Sequence, residues 1–151
     1  MSEKSGKLIA VWGAPHSGKT TFAASLATAI ADSYASATVI VLHSDIEAPM
    51  LSVLFPNAKS GSLGSVGIPL SANEPDTEQI LANCTETKAR PTLAVMGYRD
   101  GDTRLTYPRY GKERATELLQ RLLTLADFVI VDGMSNPNES LLSLAALETA
   151  S

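Results

Sequence analysis

Gly13-Ala14-Pro15-His16-Ser17-Gly18-Lys19-Thr20 spells G-x-x-x-x-G-K-[ST], and this stretch decides the fold. Each part of the pattern has a mechanical task. Gly18 lets the backbone approach a polyphosphate, and successive N–H groups of the loop face the anion. Lys19 brings a point charge to the β- and γ-phosphates, and the Thr20 hydroxyl suits Mg²⁺. Gly13 to Thr20, followed by Thr21, are the candidate nucleotide-binding residues. The flanks agree with the motif. Lys7-Leu8-Ile9-Ala10-Val11-Trp12 reads as a short buried strand ending at a glycine. Residues 21–31 are alanine-rich and hold neither Gly nor Pro, with Phe22, Leu26 and Ile30 spaced for one helical face. A strand, a glycine loop and a helix N-terminus together form an anion site.

A chain of 151 residues is expected to form one domain with a substantial core. Charged residues make up 19% and apolar ones 44%, a globular rather than disordered balance. The net charge of −4 does not indicate nucleic acid as a partner. Cys84 alone excludes an internal disulfide and a cysteine-rich metal site, and a packing role is expected for it. No apolar run has the length of a membrane span. Met1-Ser2-Glu3-Lys4-Ser5-Gly6 lacks a signal-peptide core, so a cytoplasmic location is expected.

Apolar runs at Lys7–Trp12, Thr38–Leu42, Thr92–Met96 and Asp127–Val131 read as strands, mostly without polar alternation. Between them the helical pattern is clearest from Lys112 to Ala126. There Ala115, Leu118, Leu119, Leu122, Leu123 and Ala126 form one apolar stripe. Prolines between Ile46 and Arg90 exclude one long helix and predict short ones near Leu51–Phe55, Leu63–Val66 and Thr77–Cys84. A last helix is predicted over Glu139–Glu148. The expected class is α/β: a mostly parallel twisted sheet with helices on both faces, of the P-loop NTPase kind.

A phosphate loop needs carboxylates for Mg²⁺ and for the attacking water. Asp132 closes Phe128-Val129-Ile130-Val131-Asp132, where the acid at a strand end is a metal ligand candidate. Asp45 follows the run Val39 to Ser44. It reads either as a turn residue or as the group that orients the hydrolytic water.

These three sites together resemble the ParA/MinD/Mrp group of P-loop ATPases over most of the chain. Val11-Trp12-Gly13 through Thr20-Thr21 is similar to the group's first motif. Asp45-Ile46-Glu47-Ala48-Pro49 resembles its D-x-x-x-P switch segment. Phe128 to Asp132 with Gly133-Met134-Ser135-Asn136-Pro137 resembles its second motif and second switch. The block from Gly97-Tyr98 to Tyr110-Gly111 resembles ParA-like proteins of mobile elements and, more loosely, pilus-localisation ATPases. The resemblance implies ATP and Mg²⁺ as cofactors, with Lys19 and Asp45 catalytic and Thr20 and Asp132 holding the metal. It also implies a protein partner or a second copy, and a role in positioning, partition or assembly.

The chain departs from the group at three places. Ala14 stands where the resemblance implies a lysine that reaches across a dimer. His43 replaces the first acid of the switch D-x-D. Residues 1–151 are expected to be the N-terminal part of a longer ParA-like domain, with an open sheet edge suited to association. His16 is expected to face solvent, and Trp12 to pack under the phosphate site. Arg99 to Tyr110 interleaves arginines and tyrosines and is expected to be a solvated loop. Three functions follow as alternatives. They are an ATP-hydrolysing switch, a nucleotide-binding module with little turnover, and a phosphotransferase using the Arg99–Arg109 loop as a lid.

Overall fold

Runs of valine, isoleucine and leucine form the principal strands, each within a residue or two of the predicted bounds. The computed structural model describes residues 6–12, 18–34, 36–45, 51, 63–72, 76–87, 90, 92–99, 101–103, 105–107, 110–133 and 140–150, with backbone alone at Lys19 and Thr20. In chain order the elements are β1 (Lys7–Val11), α1 (Lys19–Ser33), β2 (Val39–His43), α2 (Gly67–Ser71), α3 (Thr77–Ala82), β3 (Thr85–Glu86), β4 (Leu93–Met96), α4 (Lys112–Leu125), β5 (Phe128–Asp132) and α5 (Leu141–Thr149). Among the described residues the strands form one sheet in the order β1-β5-β2-β4-β3. β1, β5, β2 and β4 are parallel, and the two-residue β3 adds an antiparallel edge to β4.

Alternation along the strands sorts the core into two layers. Val11, Val39, Val41, Leu93 and Ile130 pack on α1. Leu8, Ile40, Leu42, Met96, Val129 and Val131 pack on the other side with residues of α2, α3, α4 and α5. The predicted stripe of α4 is the buried one: Ala115, Leu118, Leu119 and Leu122 are sealed. The α/β class with helices on both faces is therefore what the chain adopts.

α1 departs from expectation in its packing face. Ala23, Ala27 and Ala31, not Phe22, Leu26 and Ile30, lie against the sheet. A helix set close on valine and isoleucine side chains leaves room only for methyl groups. Leu26 and Ile30 flank the stripe half-buried, and Phe22 is 59% exposed.

The segment between β2 and β4 also differs in detail. Leu51 is helical and buried, and the rest of the predicted Leu51–Phe55 helix lies outside the described residues. Leu63 to Val66 is not helical, and the helix starts at Gly67. The reason lies in long-range partners. The Ser65 N–H donates to Asn83 Oδ1 (3.1 Å) and the Val66 N–H to the Gly97 carbonyl (2.9 Å). Cys84 packs against the core as expected, and burial pushes its thiol up to about 11.

The alanine face sets a stability test. Ala27→Leu overpacks the α1–sheet contact and is expected to lower unfolding free energy by ~1–3 kcal/mol. Phe22→Ala, at an exposed site, should stay within ~0.5 kcal/mol of the parent. Urea denaturation of the two variants checks the ordering, and equal losses would contradict the packing described.

Candidate functional site

Parallel pairing brings three strand ends together. Asp132, the last residue of β5, stands in register with Val11 on one side and His43 on the other. Alternation then decides which way its side chain faces. Ile130 and Val41 pack on α1, so Asp132 and His43, two residues further on, turn to that same face. α1 starts at Lys19, soon after β1 ends, and must run back before the parallel β2 can begin. Its N-terminus therefore lies at the end of the sheet that Asp132 occupies.

Gly18 opens α1 with φ 82° and ψ 15°, in the left-handed region, and its carbonyl accepts the Phe22 N–H at 2.9 Å. A Cβ there would meet nothing within 4 Å. Glycine is thus required by the backbone angle rather than by space. No side chain caps this helix N-terminus among the described residues, and no acid lies in its first turn. Its first N–H groups and the positive end of its dipole suit an anion.

Asp132 is held from several directions. Its Oδ2 accepts from His43 Nδ1–H at 2.9 Å, and both residues are buried. Its carbonyl accepts from Ser44 twice, from the backbone N–H at 3.1 Å and from Oγ at 2.8 Å. Ser44 Oγ lies 2.7 Å from Ser143 Oγ on α5, whose own N–H donates to the capping Ser140 Oγ at 3.1 Å. With the Ser44 proton committed to the carbonyl, Ser143 is the donor between the two hydroxyls. Beyond Asp132, the Gly133 N–H donates to the Val11 carbonyl, and the Trp12 ring lies on Gly133 so closely that a Cβ would stand 3.0 Å from it. Trp12 thus lies on Gly133 with 38% of its surface exposed, and the loop it was expected to pack under lies outside the described residues.

The sequence-predicted residues distribute as follows. Gly18, Thr21, Asp45 and Asp132 are described with side chains, and Lys19 and Thr20 by backbone in the first turn of α1. Gly13, Ala14, Pro15, His16 and Ser17 lie outside the described residues. Asp45 is half-buried directly after Ser44, two positions past the register partner of Asp132. Asp132 offers hard carboxylate oxygen, the kind of donor that suits Mg²⁺, at the end of the sheet where α1 begins. Among the described residues no group of three or more His, Cys, Asp or Glu side chains gathers to hold a metal.

Sequence reasoning missed the His43–Asp132 pair and the serine chain. Ser140 had a readable signal, a hydroxyl N-cap directly before an apolar helix, whereas Ser143 lies within that helix. Ser44 had none. The Arg99–Tyr110 loop is less solvated than expected. Asp102 is buried and accepts from Ser65 Oγ (2.7 Å), the Arg99 N–H (2.9 Å) and the Tyr107 hydroxyl (3.2 Å). Arg99 Nη2 donates to Tyr107 Oη at 3.2 Å. Burial, with Tyr110 and Asp102 nearby, holds the Tyr98 phenol well above its ordinary range. Gly101, Thr103, Leu105 and Thr106 remain exposed.

No protein-family model matches the sequence, and no curated protein matches it. Solved structures do match the fold. MinD of Pyrococcus horikoshii OT3, complexed with Mg-ADP, superposes with a TM-score of 0.70 at 16% identity over 96% of this chain and 55% of its own. Cobyrinic acid a,c-diamide synthase of Mycobacterium smegmatis, with bound ADP and magnesium, gives 0.70 at 20% identity over 96% and 57%. A ParA family ATPase of Chlorobium tepidum TLS gives 0.65 at 15% identity over 97% and 57%. The chain spans little more than half the length of these proteins. Over that span it has the fold of the ParA/MinD-type P-loop ATPases.

Proposed function

We propose that this chain binds the phosphates of ATP with Mg²⁺ at the loop from Gly13 to Thr20 and acts as a hydrolysing switch in positioning, partition or assembly. The observation that carries this reading is the placement of Asp132. It is a buried carboxylate at the end of β5, on the face of α1 and at the end of the sheet where Gly18 opens that helix. The bound nucleotides of the MinD and diamide synthase structures support it as relatives in fold.

Each residue has a distinct task in this reading. The amides of the loop and of the first α1 turn bind the phosphates, and Lys19 neutralises charge that grows on the γ-phosphoryl group during transfer. Thr20 and Asp132 hold the cation, which supplies further neutralisation across the β- and γ-phosphates. Asp45 orients the attacking water. The segments that follow Asp45 and Gly133 change with the nucleotide, and the Ser44–Ser143 contact carries that change to α5. A partner protein or second copy would read the result.

A second reading, nucleotide binding with little turnover, is favoured by Ala14 and by His43 in place of an acid. Phosphotransfer to a small acceptor is the weaker alternative. It needs a swinging arginine lid, and Arg99 is tied by its N–H to Asp102 and by its guanidinium to Tyr107.

Two variants separate these readings. Lys19→Ala is expected to weaken ATP binding by roughly 100-fold or more in a calorimetric titration. Unchanged affinity would remove the phosphate-site reading. Asp45→Asn should leave ATP affinity near the parent value and cut sustained Mg²⁺-dependent phosphate release by about 100-fold. A parent chain that binds ATP but releases no phosphate would establish the low-turnover module instead.

A further inference from the structure

His43 and Asp132 are register partners on neighbouring parallel strands, and both turn to the α1 face. Nδ1 and Oδ2 stand 2.9 Å apart, with side-chain exposures of 4% and 7%. An imidazole nitrogen that faces a carboxylate oxygen at this distance is the donor, so the ring proton sits on Nδ1. Gly97, past the end of β4, lies against the Cβ and carbonyl of His43. A methyl at 97 would stand 3.3 Å from His43 Cβ, tighter than an ordinary contact, and 3.6 Å from Leu51 Cγ. The ring is thus buried and oriented by the carboxylate it faces.

We propose that His43 is a positioning residue for Asp132: its Nδ1–H fixes Oδ2 so that the carboxylate is already aimed when a Mg²⁺-nucleotide binds. This rests on the phosphate-site reading above and adds to it the residue that sets the metal ligand. The chemistry differs from that of an acid at the same place. A carboxylate at position 43 would face Asp132 as a like charge and would need the cation to hold the two together. An imidazole donates instead, so the ligand keeps its direction before any cation arrives. Hydrogen-bond partners of metal ligands commonly act in this way, orienting the ligand without touching the metal. His43 does not contact substrate in this role.

A purely space-filling histidine would behave differently under substitution. His43→Asn keeps an N–H donor at the δ position, and His43→Leu keeps the branching without the donor. ADP is the probe, titrated calorimetrically in EDTA and across a series of free Mg²⁺ concentrations, well below each variant's melting temperature. H43L is expected to need about tenfold more Mg²⁺ for half of the Mg²⁺-dependent gain in ADP affinity. Its ADP affinity in EDTA should equal that of the parent, because the amide loop is untouched. H43N should recover most of the Mg²⁺ response. Equal Mg²⁺ profiles for H43L and parent would overturn the assignment, and so would equal losses in H43N and H43L. If H43L does not fold, H43N against the parent decides, and a tenfold loss in H43N sinks the proposal. A parent chain that binds no ADP in either condition overturns the phosphate-site reading itself and His43's role with it. Parent binding without an H43L effect overturns only the latter.

Discussion

The C-terminal end of the sheet depends on β5 lying between β1 and β2. This insertion puts Val11, Asp132 and His43 side by side, so the segments after β1, β2 and β5 all leave from adjacent strand ends. Such a place, where connections part in an open α/β sheet, is where ligands bind. Register matters as much as order. Val129, Ile130 and Val131 have no exposed surface and alternate between the two core layers. A slip of one residue would move Ile130 away from α1 and send the Asp132 carboxylate to the α4 face. The apolar core thus sets the direction of the one charged group on β5.

A buried carboxylate needs more than direction. Burial disfavours its ionised form unless donors compensate, and an unpartnered buried charge costs about 3–5 kcal/mol. His43 supplies a donor to the side chain, while Ser44 takes the backbone carbonyl of the same residue. Consecutive residues of β2 and its exit therefore grip Asp132 at two different groups. Ser143 continues the chain of bonds onto α5, whose N-terminus Ser140 caps. Each of these bonds contributes only about 1 kcal/mol net, but breaking one strands a buried partner at greater cost. The network consequently favours a unique arrangement of β2, β5 and α5 more than it favours raw stability.

The sequence carried the strands, α4 and the acid at the end of β5 clearly, because apolar runs without alternation and a 3–4 stripe have few other readings. Its errors have physical causes. Phe22, Leu26 and Ile30 were the obvious apolar row on α1, but side-chain size and helix-to-sheet distance are tertiary properties, and the alanine row won. Leu63 to Val66 reads as helical despite its Gly, Ser and Val, but the Ser65 and Val66 amides are claimed from 18 and 31 residues away by Asn83 and Gly97. His43 stood out only as a departure from the acid that the resemblance implied. That it faces Asp132 depends on the pairing of strands 89 positions apart, which no local pattern encodes. Asp102 was hidden likewise, since a charged loop residue gives no sign that Ser65 and Tyr107 will enclose it.

The exchange of an acid for His43 also bears on how an anion could be held by a chain of net charge −4. The overall charge is a poor guide at contact range, because salt screens exposed charges beyond about 8 Å under physiological conditions. Local groups decide, and α1 presents roughly half a positive charge at an N-terminus that has no acid in its first turn. An acid at position 43 would set a second negative charge beside Asp132, at the same strand ends. The imidazole removes that charge and still satisfies the carboxylate. On the proposed reading, fewer fixed negative charges then stand beside the phosphate-binding amides. On that reading the cation's attraction to the protein rests more on the phosphates that accompany it than on fixed negative charges at the strand ends.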